Sequence, residues 1–299
     1  MLPRKPRMFR RVLFGLFGSC AFVVCLSAIK PDVLRSSNAV PAHVAGRFRE
    51  VAGFQQSGSG QYFVFDRRAH TVYGLDDRQT SSWEIIQIGA EPGRIIDPTA
   101  FAVAADGTFV VADVPNKRER IQIFTPAGFR IGGFMMRGVA KDRVVLGNSV
   151  LNGIGSLQYT GTAILMSQPE TGALITEYTL QGGVNRLIGS LRQTGHEQDP
   201  EVHFALNSGI PLVDPTGGFL FVFQAGEPAF RKYDADGDKI RAVQFRGAGV
   251  VSPNSFSFGK RGQLLVTPGL YEFEVRQAGG AGEAGRLRVL PVQPLLPSP

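Results

Sequence analysis

The 299-residue sequence predicts an all-β fold in which a hairpin unit is repeated around a ring, that is, a β-propeller. The clearest unit is a turn at Asp106-Gly107, a strand over 109–113, a basic turn over 116–118 and a second strand over 121–124. Weaker copies of this order occur four more times, and no 3.6-residue hydrophobic periodicity competes with them after residue 31. Short strands bounded by Gly, Asp and Pro at regular spacing are typical of propeller blades.

The five units align on the residue that ends each second strand. These residues are Asp66, Asp113, Ser167, Gln224 and Thr267, and they lie 47, 54, 57 and 43 residues apart. Four-stranded propeller repeats recur at about 40–50 residues, and each blade buries its faces only against its neighbours. The spacing therefore predicts one blade for each hairpin.

The second unit resembles the repeat of the NHL-repeat propellers. That repeat reads roughly as an Asp-Gly turn, an apolar strand ending in Ala-Asp, then Asn, a basic residue, Arg, Ile-Gln and an aromatic residue. The matching residues here are Asp106-Gly107, Val111-Ala112-Asp113, Asn116 and the run from Arg120 to Phe124, with two extra residues between Asn116 and Arg120. The other units match only in outline, and the resemblance covers residues of about 43 to 292. It implies six blades, but no particular activity, because propellers host many unrelated functions.

The number of blades depends on how the ring closes. Because five hairpins are visible, a sixth blade needs strands from both ends of the chain, with residues 40–51 joining residues 286–292. A five-bladed ring is the alternative. Either ring leaves no long free strand edge.

The N-terminal segment predicts export. Residues 1–11 carry five cations and no acid, residues 12–29 carry no charge, and Lys30 ends the run. This is either a cleaved signal peptide or one signal-anchor transmembrane helix, and its length favours the anchor. We expect a linker over 31–42, the propeller over 43–292 and a disordered tail over 293–299. The domain would be periplasmic or at the cell surface, either membrane-anchored or secreted.

Charge and cysteine content exclude several classes of function for the domain. Six of the 32 Lys and Arg residues lie in residues 1–30, which leaves 26 cations against 25 acids in the remainder. A nearly neutral exported domain has no general attraction for nucleic acid. Both cysteines, Cys20 and Cys25, lie inside the apolar segment, so the domain has neither a disulfide nor a thiol nucleophile.

The turns between second and third strands predict a basic patch on one face of the propeller, here called the hairpin-loop face. One blade would place Arg67, Arg68 and His70 there, and the next would add Lys117 and Arg118. We hypothesise that this patch contacts an anionic partner such as an acidic protein surface, a polysaccharide or lipid headgroups. Solvated loop charge is the plainer interpretation.

Asp66 and Asp113 hold equivalent positions near the predicted channel mouth, and two interpretations apply to them. Each carboxylate could ligate a metal or act as a general base, or it could accept turn amide hydrogen bonds, as is common for Asp in turns.

The run over 196–203 contains His196 and His203, but the spacing matches no compact metal motif and indicates a polar loop. We predict no catalytic residue, no metal ligand and no cofactor.

These observations favour an exported, non-enzymatic propeller that binds a protein or an anionic surface. If the N-terminal helix is uncleaved, it would also attach the domain to the membrane. The alternative is a propeller enzyme, resembling the propeller lactonases or amidating lyases, with a metal in the central channel. Ligands of such a metal come from several blades and are scattered in the sequence, so they form no local motif.

Overall fold

The structure is a computed structural model that describes residues 36–140, 145–146, 149–150, 154–214, 217–225, 229–244, 255–258, 264–267 and 271–273. The chain divides into two compact units, Met1–Asp32 and Val33–Pro299, and every described residue belongs to the second. The hydrophobic segment predicted over residues 1–30 lies outside the described residues. Within the described part of the chain, no helix is long and apolar enough to cross a bilayer.

The described residues begin with strand β1 (Ser36–Ala39) and the one-turn helix α1 (Ala42–Ala45). Two blades follow, and each is an antiparallel sheet of four consecutive strands. Blade one contains β2 (Val51–Gln56), β3 (Tyr62–Asp66), β4 (Thr71–Leu75) and β5 (Ser82–Ile86). Blade two contains β6 (Ala100–Val103), β7 (Phe109–Asp113), β8 (Arg120–Phe124) and β9 (Arg130–Met135), with a 3-10 turn over Pro115–Lys117.

Two further blades repeat this order after a short hairpin of β10 (Val145–Leu146) and β11 (Ser149–Val150). Blade three contains β12 (Leu157–Tyr159), β13 (Ile164–Met166), β14 (Ala173–Tyr178) and β15 (Val184–Ser190), with a 3-10 turn over Pro169–Thr171. Helix α2 (Pro200–Asn207) lies in the crossing to blade four. Blade four contains β16 (Gly209–Val213), β17 (Phe219–Phe223), β18 (Ala229–Tyr233) and β19 (Lys239–Gln244).

The last sheet is built from both ends of the described chain. Its strands are β20 (Ser255–Phe258), β21 (Leu264–Thr267) and β22 (Tyr271–Phe273), and β1 completes it by pairing with β22. The first strand of each blade contacts the first strand of the next, and β20 contacts both β16 and β2. These contacts close a ring of four blades made of consecutive strands and one sheet shared between the two chain ends. The predicted all-β propeller is therefore confirmed.

The prediction of six blades is wrong, because the described residues contain five four-stranded sheets. Strand β1 pairs with β22 and so completes the sheet of the fifth hairpin; it does not form part of a sixth blade. Residues 40–51, predicted to close the sixth blade, cross over to blade one and begin its inner strand at Val51. A three-stranded terminal sheet would expose a strand edge, and β1 covers it. The predicted partner strand over 286–292 lies outside the described residues.

Aromatic side chains fill the interface between blades one and two. Phe63 and Phe65 of blade one pack with Phe101, Phe109 and Phe124 of blade two, and all five are buried. Centroids of neighbouring rings lie between 5.3 and 5.8 Å apart. Such pairs contribute about 0.5–1.5 kcal/mol each beyond the area that they bury. The alternating aromatic residues of the hairpins thus hold neighbouring blades together.

A repeated contact also fixes the outer part of the ring, where a glycine in one blade packs against the outer strand of the preceding blade. The three contacts are Gly128 with Ile85, Gly182 with Phe134, and Gly237 with Ile188. Each glycine lies in the turn between the third and fourth strands. At Gly128, φ is 86° and a Cβ atom would collide with the Ile85 carbonyl oxygen, so this turn requires glycine for two reasons.

A buried amide joins the inner strands of blades one and two. Gln55 Nε2 donates to the Phe101 carbonyl at 3.2 Å, and Gln55 Oε1 accepts from the Val103 amide at 2.6 Å. These two backbone groups lie on the inner strand of blade two, so the side chain pairs with that strand as a further strand would.

Helix α2 was not predicted from the sequence, although its start carries recognisable signals. Asp199 caps the helix by accepting from the Val202 amide at 3.3 Å, and Pro200 occupies the first helical position. The helix is only eight residues long and its apolar pattern is weak, which explains why hairpin periodicity dominated the prediction. The polar run predicted as a loop over 196–203 therefore contains a helix start.

Candidate functional site

The hairpin-loop face is formed by turns and by crossings between blades. Successive strands run in opposite directions, so turns between second and third strands lie at the same end of the ring as the crossings into the next blade. At blades one and two this face comprises residues 67–70, 87–99 and 114–119. The turns between first and second strands and between third and fourth strands lie at the other end, here called the opposite face.

Arg67 and Arg68 lie in the blade-one turn but differ in exposure and charge. The Arg67 guanidinium pairs with Glu50, with Nε donating to Oε1 at 2.9 Å, and its amide donates to the Glu50 carbonyl at 3.0 Å. Arg68 is exposed and makes no ion pair with a described residue. Only Arg68 therefore offers an uncompensated charge here.

His70 faces an acid on the crossing between the blades. Its Nε2 lies 3.7 Å from Asp97 Oδ1, and its Nδ1 is buried with no hydrogen-bond partner in the described part of the chain. Both residues have left-handed backbone, with φ of 52° at His70 and 45° at Asp97. The predicted patch residue His70 thus lies between the turn of blade one and the entry to blade two.

Lys117 and Arg118 are exposed on the turn of blade two. Asn116 and Lys117 have left-handed backbone, with φ of 53° and 60°. The Lys117 carbonyl accepts from the Ala140 amide at 2.8 Å, and the Arg118 amide donates to the Pro115 carbonyl at 3.1 Å. Neither cation forms an ion pair with any residue that the structure describes, so both side chains are directed at solvent.

Asp66 is fully buried beneath the turn of blade one. Its carboxylate accepts hydrogen bonds from the amides of Arg49 at 2.6 Å, Glu50 at 3.0 Å and Ala69 at 2.9 Å. These bonds satisfy the carboxylate and fix both the incoming crossing and the turn that carries Arg68. In this structure Asp66 therefore positions the turn and does not line its surface.

Asp113 occupies the equivalent position in blade two and is also fully buried. Arg120 Nε lies 2.9 Å from its Oδ1 and Arg120 Nη2 lies 2.6 Å from its Oδ2, while the Ile96 amide donates at 3.1 Å. Burial raises the pKa of Asp113, and the hydrogen bonds from Arg120 and Ile96 offset part of this effect. Removal of one partner would leave an uncompensated buried charge, which costs about 3–5 kcal/mol.

The two aspartates have different partners because the facing strand differs. Asp113 lies opposite Arg120 in the antiparallel register, whereas Asp66 lies opposite Thr71. The Thr71 hydroxyl donates to the Ile86 carbonyl instead of pairing with Asp66. Blade one therefore supplies only backbone donors to its aspartate.

Two buried polar residues of blade two, Arg120 and Gln122, hold the crossing over 87–99 in place. In the sequence they belong only to the repeat pattern. Arg120 donates to the carbonyls of Ala90 at 2.7 Å and Arg94 at 3.0 Å. Gln122 accepts from the Gly93 amide at 3.0 Å and donates to the Arg94 carbonyl at 2.8 Å. The signal that could have identified them is their position, because both polar residues lie on a strand that is otherwise apolar.

The two histidines of the 196–203 run do not converge. His203 Nδ1 lies 2.8 Å from Thr194 Oγ1, and His196 is exposed. Glu197 accepts from the amides of Thr194 and Gly195, and these bonds lower its pKa. Among the described residues, no group of three or more His, Cys, Asp or Glu side chains is placed to hold a metal ion.

No family model matches the sequence, and the comparison with curated proteins finds no match. Solved structures do match. A protein of unknown function from Bacteroides caccae matches over 73% of this chain and 70% of its own, at 11% identity and a TM-score of 0.48.

Two lyase structures show a similar likeness. Virginiamycin B lyase from Staphylococcus aureus matches over 78% of this chain and 67% of its own, at 13% identity and a TM-score of 0.43. A streptogramin B lyase structure matches over 81% of this chain and 96% of its own, at 10% identity and a TM-score of 0.45. Likeness at these identities concerns the fold alone. The resemblance to NHL repeats stays a prediction.

Proposed function

We propose that this chain is an exported propeller that acts as a non-enzymatic binding module, and that its hairpin-loop face contacts an anionic partner. The observation that carries the proposal is the exposure of Arg68, Lys117 and Arg118 on the turns of two consecutive blades. Among the described residues, no acid pairs with any of the three. A partner with acidic groups would supply the missing counter-charges.

Hydrogen bonds restrain the two turns that carry these cations. Asp66 fixes the blade-one turn through three amide hydrogen bonds, and the bond from the Ala140 amide to the Lys117 carbonyl restrains the blade-two turn. Binding to a preformed surface costs less conformational entropy than binding to loops that must first be ordered. Asp66 thus supports a binding role without touching the partner.

The expected gain from the patch is modest. An exposed ion pair contributes roughly 0.2–1 kcal/mol, so three such pairs would contribute about 0.6–3 kcal/mol. This corresponds to roughly 3- to 140-fold in affinity at low salt. Arg67 and His70 add less, because Glu50 and Asp97 already face them.

The five inner strands that the structure describes favour binding over metal-dependent channel chemistry. The inner strands β2, β6, β12, β16 and β20 contain no Asp, Glu, His or Cys. Metal-dependent hydrolases and lyases need several such ligands to converge. The described inner strands offer instead apolar residues together with amides and hydroxyls such as Gln55, Gln56 and Gln158.

Charge reversal in the full-length chain tests the binding role. The patch variant is Arg68→Glu with Lys117→Glu and Arg118→Glu. The matched control is Arg78→Glu with Lys239→Glu and Arg241→Glu, which changes net charge equally at exposed cations away from this face. The measurement is the salt concentration that elutes each protein from immobilised polyglutamate. We expect the patch variant to elute earlier than the wild type and the control.

Two results would overturn the proposal. If the patch variant elutes with the wild type, the three cations do not form a binding surface. If both variants elute equally early, net charge and not the patch governs retention.

The export part is tested separately by fusing residues 1–30 to alkaline phosphatase, which is active only outside the cytoplasm. An inactive fusion would remove export from the proposal.

A further inference from the structure

The described part of the hairpin-loop face has two regions of opposite charge. The region at blades one and two comprises residues 67–70, 87–99 and 114–119, together with the start of the next crossing, 136–140. It contains six cations and three acids, so its net charge is +3 with histidine neutral. We call this region the basic half.

Contacts between its segments make the basic half one surface. His70 of the blade-one turn lies 3.7 Å from Asp97 on the crossing between the blades. Arg120 of blade two donates to two carbonyls of the same crossing. The Met136 amide donates to the Glu119 carbonyl at 2.8 Å, which ties the next crossing to the blade-two turn.

The region at blade three and the crossing into blade four has the opposite charge. It comprises residues 167–172 and 191–208, which contain four acids and one cation, so its net charge is −3 with histidine neutral. Helix α2 contacts the 3-10 turn over Pro169–Thr171, and this contact brings Glu170 into the same surface as the acids at the helix start. We call this region the acidic half.

The charges of the acidic half are accessible. All four acids are exposed, and neither Glu170 nor Glu201 forms an ion pair with a described residue. Glu197 and Asp199 accept hydrogen bonds from backbone amides of the loop and of α2. The single cation, Arg192, is half-buried and donates to the Ala225 carbonyl at 2.6 Å. The surface that a partner would meet here is therefore acidic.

Each half also exposes an apolar side chain. Val139 in the basic half is 72% exposed, and Val202 on α2 in the acidic half is 37% exposed. Interfaces between proteins combine apolar residues at the centre with polar and charged residues at the rim. A simple polyanion would contact only the cations, whereas a folded protein could also cover the two valines.

We infer that this face binds the same face of a second copy of the chain across a two-fold axis that lies in the interface. A two-fold interface is self-complementary, so a contact of the basic half with the partner's acidic half forms twice. An unrelated acidic protein would match the basic half alone and would be repelled by the acidic half. This inference rests on the proposed binding role of the hairpin-loop face and names its partner.

The charge of the whole domain permits such pairing. Residues 31–299 contain 26 cations and 25 acids, so two copies do not repel each other through their net charge. The attraction comes from exposed charges, which salt screens. We therefore expect a dimer that weakens as the salt concentration rises.

Charge-swap variants of the full-length chain test the inference. The first is the patch variant, and the second, here called the acid variant, is Glu170→Lys with Glu201→Lys. Glu197 and Asp199 stay unchanged because they accept hydrogen bonds from the loop and the helix start. The measurement is the mass in solution, by light scattering, as a function of protein concentration at low salt.

Each variant alone should lose the dimer. Each exposed ion pair is worth roughly 1.4- to 5-fold in affinity, and each substituted charge would pair twice. We therefore expect the Kd of the dimer to rise by about eightfold or more in the patch variant and by about fourfold or more in the acid variant.

An equal mixture of the two variants should form dimers again. The glutamates of the patch variant would then face the lysines of the acid variant, and the unchanged halves would also match. An unrelated partner would not produce this rescue.

Matched controls change exposed charges away from this face. The control for the patch variant is the triple charge reversal already used with polyglutamate. The control for the acid variant is Asp77→Lys with Asp236→Lys, in turns of the opposite face. Both controls should dimerise like the wild type.

Three results would overturn the inference. The wild type could have the mass of one chain at all concentrations up to about 0.1 mM. Both variants could dimerise like the wild type, which would place the contact elsewhere in the chain. The mixture could stay monomeric although each variant has lost the dimer. If the wild type is monomeric but still elutes from polyglutamate after the patch variant, the proposed function stands and only the second copy is excluded.

Discussion

Replacing Gln55 by leucine tests how strongly the inner strands depend on one side chain. Leucine is similar in size but can neither donate to the Phe101 carbonyl nor accept from the Val103 amide. Gln55, Phe101 and Val103 are all buried, so water cannot easily replace the lost bonds. We therefore expect two unsatisfied backbone groups at the junction of blades one and two.

The magnitude follows from the cost of these two groups. Each buried, unsatisfied backbone group costs about 1–3 kcal/mol, which gives about 2–6 kcal/mol for the pair. Burial of the leucine side chain contributes about 1–2 kcal/mol of stability and offsets part of this cost. The midpoints of these two ranges, about 4 and about 1.5 kcal/mol, give an expected loss of about 2.5 kcal/mol in the free energy of unfolding. At about 2–4 °C per kcal/mol, this lowers Tm by roughly 5–10 °C.

The assay is urea and thermal unfolding of the full-length chain, followed by circular dichroism and by Trp83 fluorescence. Gln158→Leu is the matched control, because Gln158 also lies on an inner strand but is only half-buried. Its amide contacts only the carbonyl of the neighbouring Tyr159, at 3.4 Å. We expect the control to change the free energy of unfolding by less than about 0.5 kcal/mol.

A loss below about 0.5 kcal/mol for Gln55→Leu, equal to that of the control, would refute the reasoning. It would mean that the Phe101 and Val103 groups find other partners, and that Gln55 does not join the blades. Gln55→Glu gives a graded test. It keeps an acceptor for the Val103 amide but removes the donor to Phe101, so its stability at neutral pH should also fall.

The remaining predictions concern one glycine and one carboxylate. Gly128→Ala should lower the free energy of unfolding by about 1–3 kcal/mol more than Gly138→Ala. Both glycines have φ near 87°, but only at position 128 would the added Cβ atom collide with Ile85. Equal losses in urea unfolding would contradict this. Hydrogen bonds from the Ser81 amide and the Thr80 hydroxyl lower the pKa of Asp76, so their stabilising effect is present above about pH 4 and is lost as pH falls through the lowered value. In an NMR titration, Thr80→Ala should raise the pKa of Asp76 towards its ordinary value, and an unchanged pKa would show that the hydroxyl has no influence.

The strands of the hairpins could be predicted because their signals are local. The residues that align the five units lie at the end of a second strand or directly after it: Asp66, Asp113 and Thr267 end β3, β7 and β21, and Ser167 and Gln224 follow β13 and β17. Alternating aromatic and β-branched residues between turn residues specify such strands without distant contacts.

The roles of the predicted site residues could not be separated from the sequence. Arg67 and Arg68 are adjacent and chemically identical, yet Glu50 pairs with one and leaves the other exposed. Asp66 and Asp113 occupy the same place in the repeat, yet only Asp113 has an arginine opposite it. Which side chain lies opposite depends on strand register, and the repeat pattern alone does not set it.

The sequence by itself determined the hairpin units, their number and the apolar faces that each must bury, because residue alternation and turn chemistry act over a few neighbours. Only the tertiary structure decided how the ring closes, since β1 and β22 are far apart in the chain and pair through backbone groups that carry no sequence signature. The same holds for Gln55, which joins two blades across 48 residues to Val103. Long-range pairing depends on which surfaces meet after the blades have formed, and local patterns do not encode that choice.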